Sequence, residues 1–348
     1  MRYLAYRAVF EALALTGLAA IVRPLSACKG AILTLHRVLP GPPAEFAPNA
    51  ILQVTPDFLE AVILGARARG LDIVTLEEAV ARIRRPTETR KFVVLTFDDA
   101  CRDNLEHALP ILRRHACPFT LYVPTGLVDG ASEVWWQALE DIVAAQRALA
   151  VDFGDGITYL EAATTDQKYR AYERLYWHLR EIPEPARVAL IRDLAGKYGL
   201  DLAAHCRSLI MDWRELKTFV AEPLCTIGAH TVFHSELAKL PDKDMRREIA
   251  QSVEVLKAQY GITPRHLAYP IGSRVAAGPR EFAAARELGF ATAVTTRPGG
   301  LYMEHKDHLT ALPRISLNGR FQHPRFIEVF LTGALFTALN GGRRLNID

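Results

Sequence analysis

The chain has 348 residues, half of them hydrophobic and 23% charged, which excludes a disordered protein and allows one large α/β domain or two ordinary ones. A net charge of +3 without a long Lys/Arg run gives no sign of a nucleic-acid partner. Five widely spaced cysteines without a CxxC pair suit reduced thiols in a cytoplasmic protein, not a disulfide framework.

Residues 1–30, "MRYLAYRAVFEALALTGLAAIVRPLSACKG", begin basic, turn apolar and end in "LSAC", which has the look of a lipoprotein cleavage box. Glu11 interrupts the apolar run and Arg23-Pro24 separate it from Cys28. The secreted or lipoprotein reading is therefore set behind an amphipathic helix on a cytoplasmic protein. No uninterrupted apolar run reaches the roughly 18 residues of a spanning helix. This helix and the stretch Phe326 to Leu339, in a C-terminal helix and tail over 326–348, could lie at the inner-membrane surface, but packing on the domain is the first expectation for both.

Between them, over 31–325, short apolar runs alternate with helical stretches. "GAILTLHRV", "LDIVTL", "FVVLTF", "PFTLYVP", "CTIGAH", "HLAYPIG" and "FATAVTT" read as strands, and Thr55 to Arg69, Leu105 to His115, Asp242 to Tyr260 and Pro279 to Leu288 as helices. This alternation predicts an α/β fold with a parallel sheet and, with seven or so strands, a barrel, whose active site belongs at the C-terminal strand ends. From about 134 to 219 the pattern turns helical and polar-aromatic, which predicts a helical insertion. Its Trp135, Trp136, Tyr172, Tyr176 and Trp177 are read first as core and second as a sugar-stacking wall.

The stretch "VVLTFDDACRDNLEHALPIL" sets Asp98 and Asp99 directly after a buried-type strand. Two adjacent carboxylates either cap the following helix or do chemistry, one binding a metal and the other taking a proton. "IGAHTVFHSEL" favours chemistry: His230 and His234 are four apart after a strand, so a helical turn would point both imidazoles one way. Two imidazoles and a carboxylate form a familiar catalytic zinc set with positions left open.

The order "TFDDA", "HTVFH", "AYPIG" resembles the NodB-homology polysaccharide deacetylases, carbohydrate esterase family four, from roughly Ala31 to Leu317. The resemblance implies a distorted (β/α) barrel and metal-dependent removal of acetyl from an N-acetylated, GlcNAc-type sugar of a polysaccharide, oligosaccharide or glycolipid. It assigns Asp99, His230 and His234 to a divalent metal, with Zn²⁺ first and Fe²⁺, Co²⁺ or Ni²⁺ as alternatives. Asp98 becomes the base and the Ile271 N–H an oxyanion donor. Tyr269 reads equally as a residue lining the substrate pocket and as a buried packing tyrosine.

Departures are visible. Ala100 stands where the family usually has Gly, and Ala268 where many members carry an arginine that orients the base, a role Arg314 of "LPRISL" could take over. Asn318 stands where a histidine normally serves as acid. His36 of "LTLHRV" is the expected substitute, since the first and last strands of a closed barrel are neighbours; some members of the wider family carry such a histidine. His308 is second. The alternatives in function are another metal-dependent amidase or esterase, and an inactive carbohydrate-binding relative.

Overall fold

The computed structural model describes residues 10–17, 19–21, 26–333, 335–336 and 340–348. The strands, in chain order, are β1 (Gly30–Leu35), β2 (Arg37–Val38), β3 (Gln53–Val54), β4 (Asp72–Ile73), β5 (Phe92–Phe97), β6 (Phe119–Val123), β7 (Ala148–Asp152), β8 (Ile157–Glu161), β9 (Cys225–Ala229), β10 (His266–Ala268), β11 (Thr292–Val294) and β12 (Ile315–Ser316). Eight of them form one parallel sheet in the order β11-β10-β9-β6-β5-β1-β12, with β4 paired to the start of β5. The sheet curls until its ends almost meet: Leu312, just before β12, bridges to Val294 of β11. The barrel expected from the strand–helix alternation is thus present. Its last strand has two residues, too short to be read from its own sequence.

Every residue of β1, β5 and β6 is buried, because both faces of a barrel strand are covered. Alternation then divides them. Leu33, Leu35, Leu95, Phe97 and Leu121 face the helices outside, while Ile32, Val94, Tyr122, Ala268, Val294 and Leu312 fill the interior. Gly228 leaves room for the Tyr122 ring, since a Cβ there would sit 2.4 Å from it.

The segment over 134–219 packs around its own core of Leu139, Val143, Leu149, Leu175, Leu179, Ile191 and Leu194. It holds five helices, beginning with Trp135–Ala145 and ending with Trp213–Val220, and an antiparallel hairpin of β7 and β8 between the first two. The reading as purely helical therefore needs correction. Leu149 and Val151 are buried against the helices and alternate with half-buried or exposed neighbours, a period-two signal only five residues long.

Much of the expected N-terminal helix lies outside the described residues; 10–16 and 19–21 are helical. Phe10 packs against Phe321, Phe326, Phe330 and Phe336, so the described parts of both apolar termini share one cluster on the barrel. No helix among the described residues is long and apolar enough to cross a membrane.

Candidate active site

The register of β1 and β5 explains why the site forms where it does. Ile32 pairs with Val94 and Thr34 with Thr96. One step further along the same interior face, His36 and Asp98 come together above the last rung. His36 Nε2 lies 3.9 Å from Asp98 Oδ2. Arg314, at the start of β12, sends its guanidinium up through the barrel and bonds both Asp98 oxygens at 2.7 Å. Its Nε–H donates to the Thr295 carbonyl, so the fork is fixed from below. Burial acts to raise the Asp98 pKa, but Arg314 outweighs it and the carboxyl sits below its usual range.

Asp99 turns the other way. Its Oδ1 lies 3.4 Å from His230 Nε2 and 3.3 Å from His234 Nε2, and no donor reaches it in hydrogen-bond geometry. Burial would raise the Asp99 pKa, yet the two imidazoles hold it well below the ordinary carboxylate range. The ligand atoms of Asp99, His230 and His234 lie within 4.8 Å of one another, and all three residues are buried. His230 Nδ1–H donates to the Ala268 carbonyl at 2.7 Å, which leaves its Nε2 lone pair for coordination. An orphaned carboxylate oxygen facing two imidazole nitrogens fits a divalent cation. Among the described hydrogen bonds, neither aspartate side chain caps a helix.

The two histidines do not sit on a helical turn, as their spacing suggested. They converge through an irregular turn in which Thr231 and His234 have φ of 64° and 53°. Glu248, from the helix Asp242–Tyr260, accepts the N–H groups of Val232 and Phe233 and holds that turn. Of six non-glycine residues with positive φ among those described, five are Asp99, Ala100, Thr231, His234 and Ile271. Strained backbone concentrated at one strand-end cluster is the mark of a functional site.

A model of the polysaccharide deacetylase family matches residues 85–293, more than half of the chain. The chain belongs to the polysaccharide deacetylase family. It is thereby a hydrolase of the acetyl-amide bonds of carbohydrates. A comparison with curated proteins returned no match. Among solved structures, the fold is similar to that of the Streptococcus pyogenes deacetylase PplD in complex with acetate, at 20% identity over 86% of this chain and 97% of that one, with a TM-score of 0.52. IcaB from Ammonifex degensii is similar at 19% identity over 85% and 94%, TM-score 0.51. A de-N-acetylase from Aggregatibacter actinomycetemcomitans reaches a TM-score of 0.55 at 13% identity, over 86% and 99%.

The places where this deacetylase departs from the family pattern can now be read structurally. Ala100 is fully buried at φ 54°, where Gly would be unstrained. Position 268 has no side chain to reach the base, and Arg314 approaches Asp98 from β12 instead. The Asn318 side chain accepts the Arg320 N–H and caps a short turn. His308 lines a separate cleft with Phe282 and Asp348 and does not join the site.

Ile271 has φ of 62°, and its N–H has no partner among the described hydrogen bonds. Of the two readings of Tyr269 the packing one holds and the pocket one is corrected: it is fully buried, packs on Phe282 and donates its hydroxyl to the Thr310 carbonyl. At the end of β10 its side chain falls on the outer face, opposite Ala268. The aromatics divide. Trp135, Tyr172 and Tyr176 stack inside the insertion, whereas Trp136 lies against His234 with ring centroids 4.8 Å apart. Sequence reasoning missed Glu248 at the site, and it named Trp136 only within a group of five aromatics without placing it beside His234. Glu248 carries no local signal, since it arrives from a later helix.

Proposed function

We propose that the enzyme is a metal-dependent N-deacetylase acting on a GlcNAc-type residue of a polysaccharide, oligosaccharide or glycolipid. The observation that carries this reading is the division of labour between two adjacent carboxylates. Asp98 is committed to Arg314 and His36, while Asp99 Oδ1 faces two imidazole nitrogens and has no hydrogen-bond partner among the described residues. A divalent cation held by Asp99, His230 and His234 would supply Lewis-acid polarisation of the acetyl carbonyl and acidify water.

The protein groups do the rest. Asp98, kept ionised by Arg314, accepts the proton of the attacking water at a carboxylate oxygen. As the water oxygen bonds to the carbonyl carbon, the Ile271 N–H donates to the oxygen where charge develops. The C–N bond then breaks, and His36 gives a proton to the departing amine nitrogen, leaving acetate and a free amino sugar. The acetate held by the S. pyogenes neighbour agrees with that product.

The test is an acetate-release screen over GlcNAc oligomers, peptidoglycan fragments and lipid-linked sugars, with and without chelator. We expect chelation to abolish activity, metal to restore it, and the melting temperature to fall slightly. Asp99→Ala or His230→Ala should lose bound metal, whereas Asp98→Asn should keep metal and lose turnover. Full activity after exhaustive chelation, or no acetate from any glycan, refutes the reading.

A further inference from the structure

The stretch that supplies both aspartates continues as "DDACRDN", and its last two residues take no part in the chemistry above. Both are buried: Asp103 is 4% exposed and Asn104 1%. They lie where the helix after β5 begins. There a π-turn spans Asn104–Ala108, and the Leu109 N–H donates to the Asn104 carbonyl five residues back. Such turns are rare and recur at functional sites.

Hydrogen bonds tie this stretch to the link between β1 and β2, which carries His36. The Asp98 N–H donates to the Leu35 carbonyl at 3.0 Å. Asn104 donates from Nδ2 to the His36 carbonyl itself, also at 3.0 Å. Asp103 accepts the Arg37 Nε–H and the Val38 N–H, each at 2.8 Å. The backbone is therefore held before, at and after His36. The His36 ring has no such hold among the described hydrogen bonds, and its Nε2 stands 3.9 Å from Asp98 Oδ2. The place of the ring is set by the backbone beneath it.

Asn104 makes its contact at some cost to the fold. Its Oδ1 is buried without a partner, and a buried amide with one end unpaired is worse for stability than an aliphatic side chain of the same shape. A carbonyl can only accept, so the Nδ2 end is the one that must face His36. We propose that Asn104, with Asp103 beside it, is a positioning residue that holds the His36 imidazole where it protonates the departing amine. The proposal rests on the reading of His36 as the acid. One short segment, Asp98 to Asn104, then carries the base, a metal-ligand candidate and the clamp on the acid, so the spacing of acid and base is set within a single unit.

The test uses two leaving groups. An amine must gain a proton as it departs, whereas the phenolate of 4-nitrophenyl acetate leaves without an acid. We compare kcat on the GlcNAc trimer and on 4-nitrophenyl acetate in the wild type, Asn104→Ala, Asp103→Asn, His36→Ala and the double variant Asn104→Ala with His36→Ala. Bound metal and the melting temperature are measured for each. Asn104→Ala should keep its metal and lower the amide-to-ester ratio by roughly 10–10²-fold, the scale of a misplaced catalytic group. Asp103→Asn, which keeps the side-chain shape, should lower it in the same direction and decides the matter if Asn104→Ala folds poorly. In the double variant the ratio should be no lower than in His36→Ala, because a positioning residue has nothing left to position. Equal losses on both substrates, an unchanged ratio, or multiplying losses in the double variant overturn the proposal. An unchanged ratio in His36→Ala overturns it together with the acid reading. If no acetate is released from any glycan, the imidazole carbon signals of the metal-free protein decide by NMR. A His36 signal shifted or broadened in Asn104→Ala then keeps the positioning role while the deacetylase reading fails, and an unmoved signal overturns both.

Discussion

Replacing Arg314 by Met tests the base assignment most directly. The guanidinium makes two 2.7 Å bonds to Asp98, with side-chain exposures of 0% and 3%. Removing one partner of a buried pair leaves an uncompensated charge and costs about 3–5 kcal/mol. With an unfolding entropy of about 2.1 cal/mol/K per residue, a chain of 348 residues should lose roughly 4–7 °C in Tm at pH 7.5. The pH dependence has a fixed sign. In the wild type the Asp98 pKa is depressed, so its stabilisation is present above the unfolded pKa and is lost as pH falls through the folded value. In Arg314→Met, burial is opposed only by the nearby His230 and His36 imidazoles, so the folded pKa rises and the penalty is lifted as pH falls through that raised value. The melting temperatures of the two proteins should therefore converge as pH falls from 7.5. Adding Asp98→Asn to Arg314→Met should recover part of the loss, because an amide needs no counter-charge. An unchanged Tm, or a gap that stays constant with pH, would refute the argument that Arg314 exists to hold a charged base.

Three further outcomes are expected. His36→Ala should keep metal and fold but lose about 10²–10⁴ in kcat, while His308→Ala should not; the reverse pattern would move the acid to the other residue. Ala100→Gly relieves a left-handed alanine and should stabilise by about 0.5–1 kcal/mol, seen as a rise of about 1 °C; a fall in Tm would show that the turn is not strained. His305 is fully buried with its Nε2 unpaired, and burial holds its pKa down to about 4. The unfolded chain therefore takes up a proton near pH 6.5 that the folded chain refuses until about pH 4, so stability falls as pH drops across that window, by about 3 kcal/mol at most. His305→Gln should flatten that limb, and an unaltered slope would place the acid sensitivity elsewhere.

What a single strand or motif could express was legible from residue order. The buried runs of β1, β5 and β6 are continuous and largely apolar because both faces of a barrel strand are covered. Asp98, Asp99, His230 and His234 stand at strand ends, so local spacing sufficed to nominate them. The meeting of His36 with Asp98 was approachable too, since it follows from pairing neighbouring strands in parallel.

Long-range geometry decided the rest. Arg314 is 216 residues from Asp98, and only closure of the sheet through β12 turns a distant arginine into the base's anchor. Tyr269 and Ala268 are adjacent in sequence but face opposite sides of β10, and a three-residue strand gives too little alternation to say which faces the interior. Trp136 and Trp135 are likewise neighbours, yet one lies against His234 and the other enters the core of the insertion. The turn that brings the two imidazoles together depends on Glu248 from a later helix, so its left-handed backbone had no local cause to read. Residue order could nominate the chemistry because side-chain type and strand ends are local properties. It could not choose partners, because a hydrogen bond is set by distance in space, and that exists only once the barrel has closed.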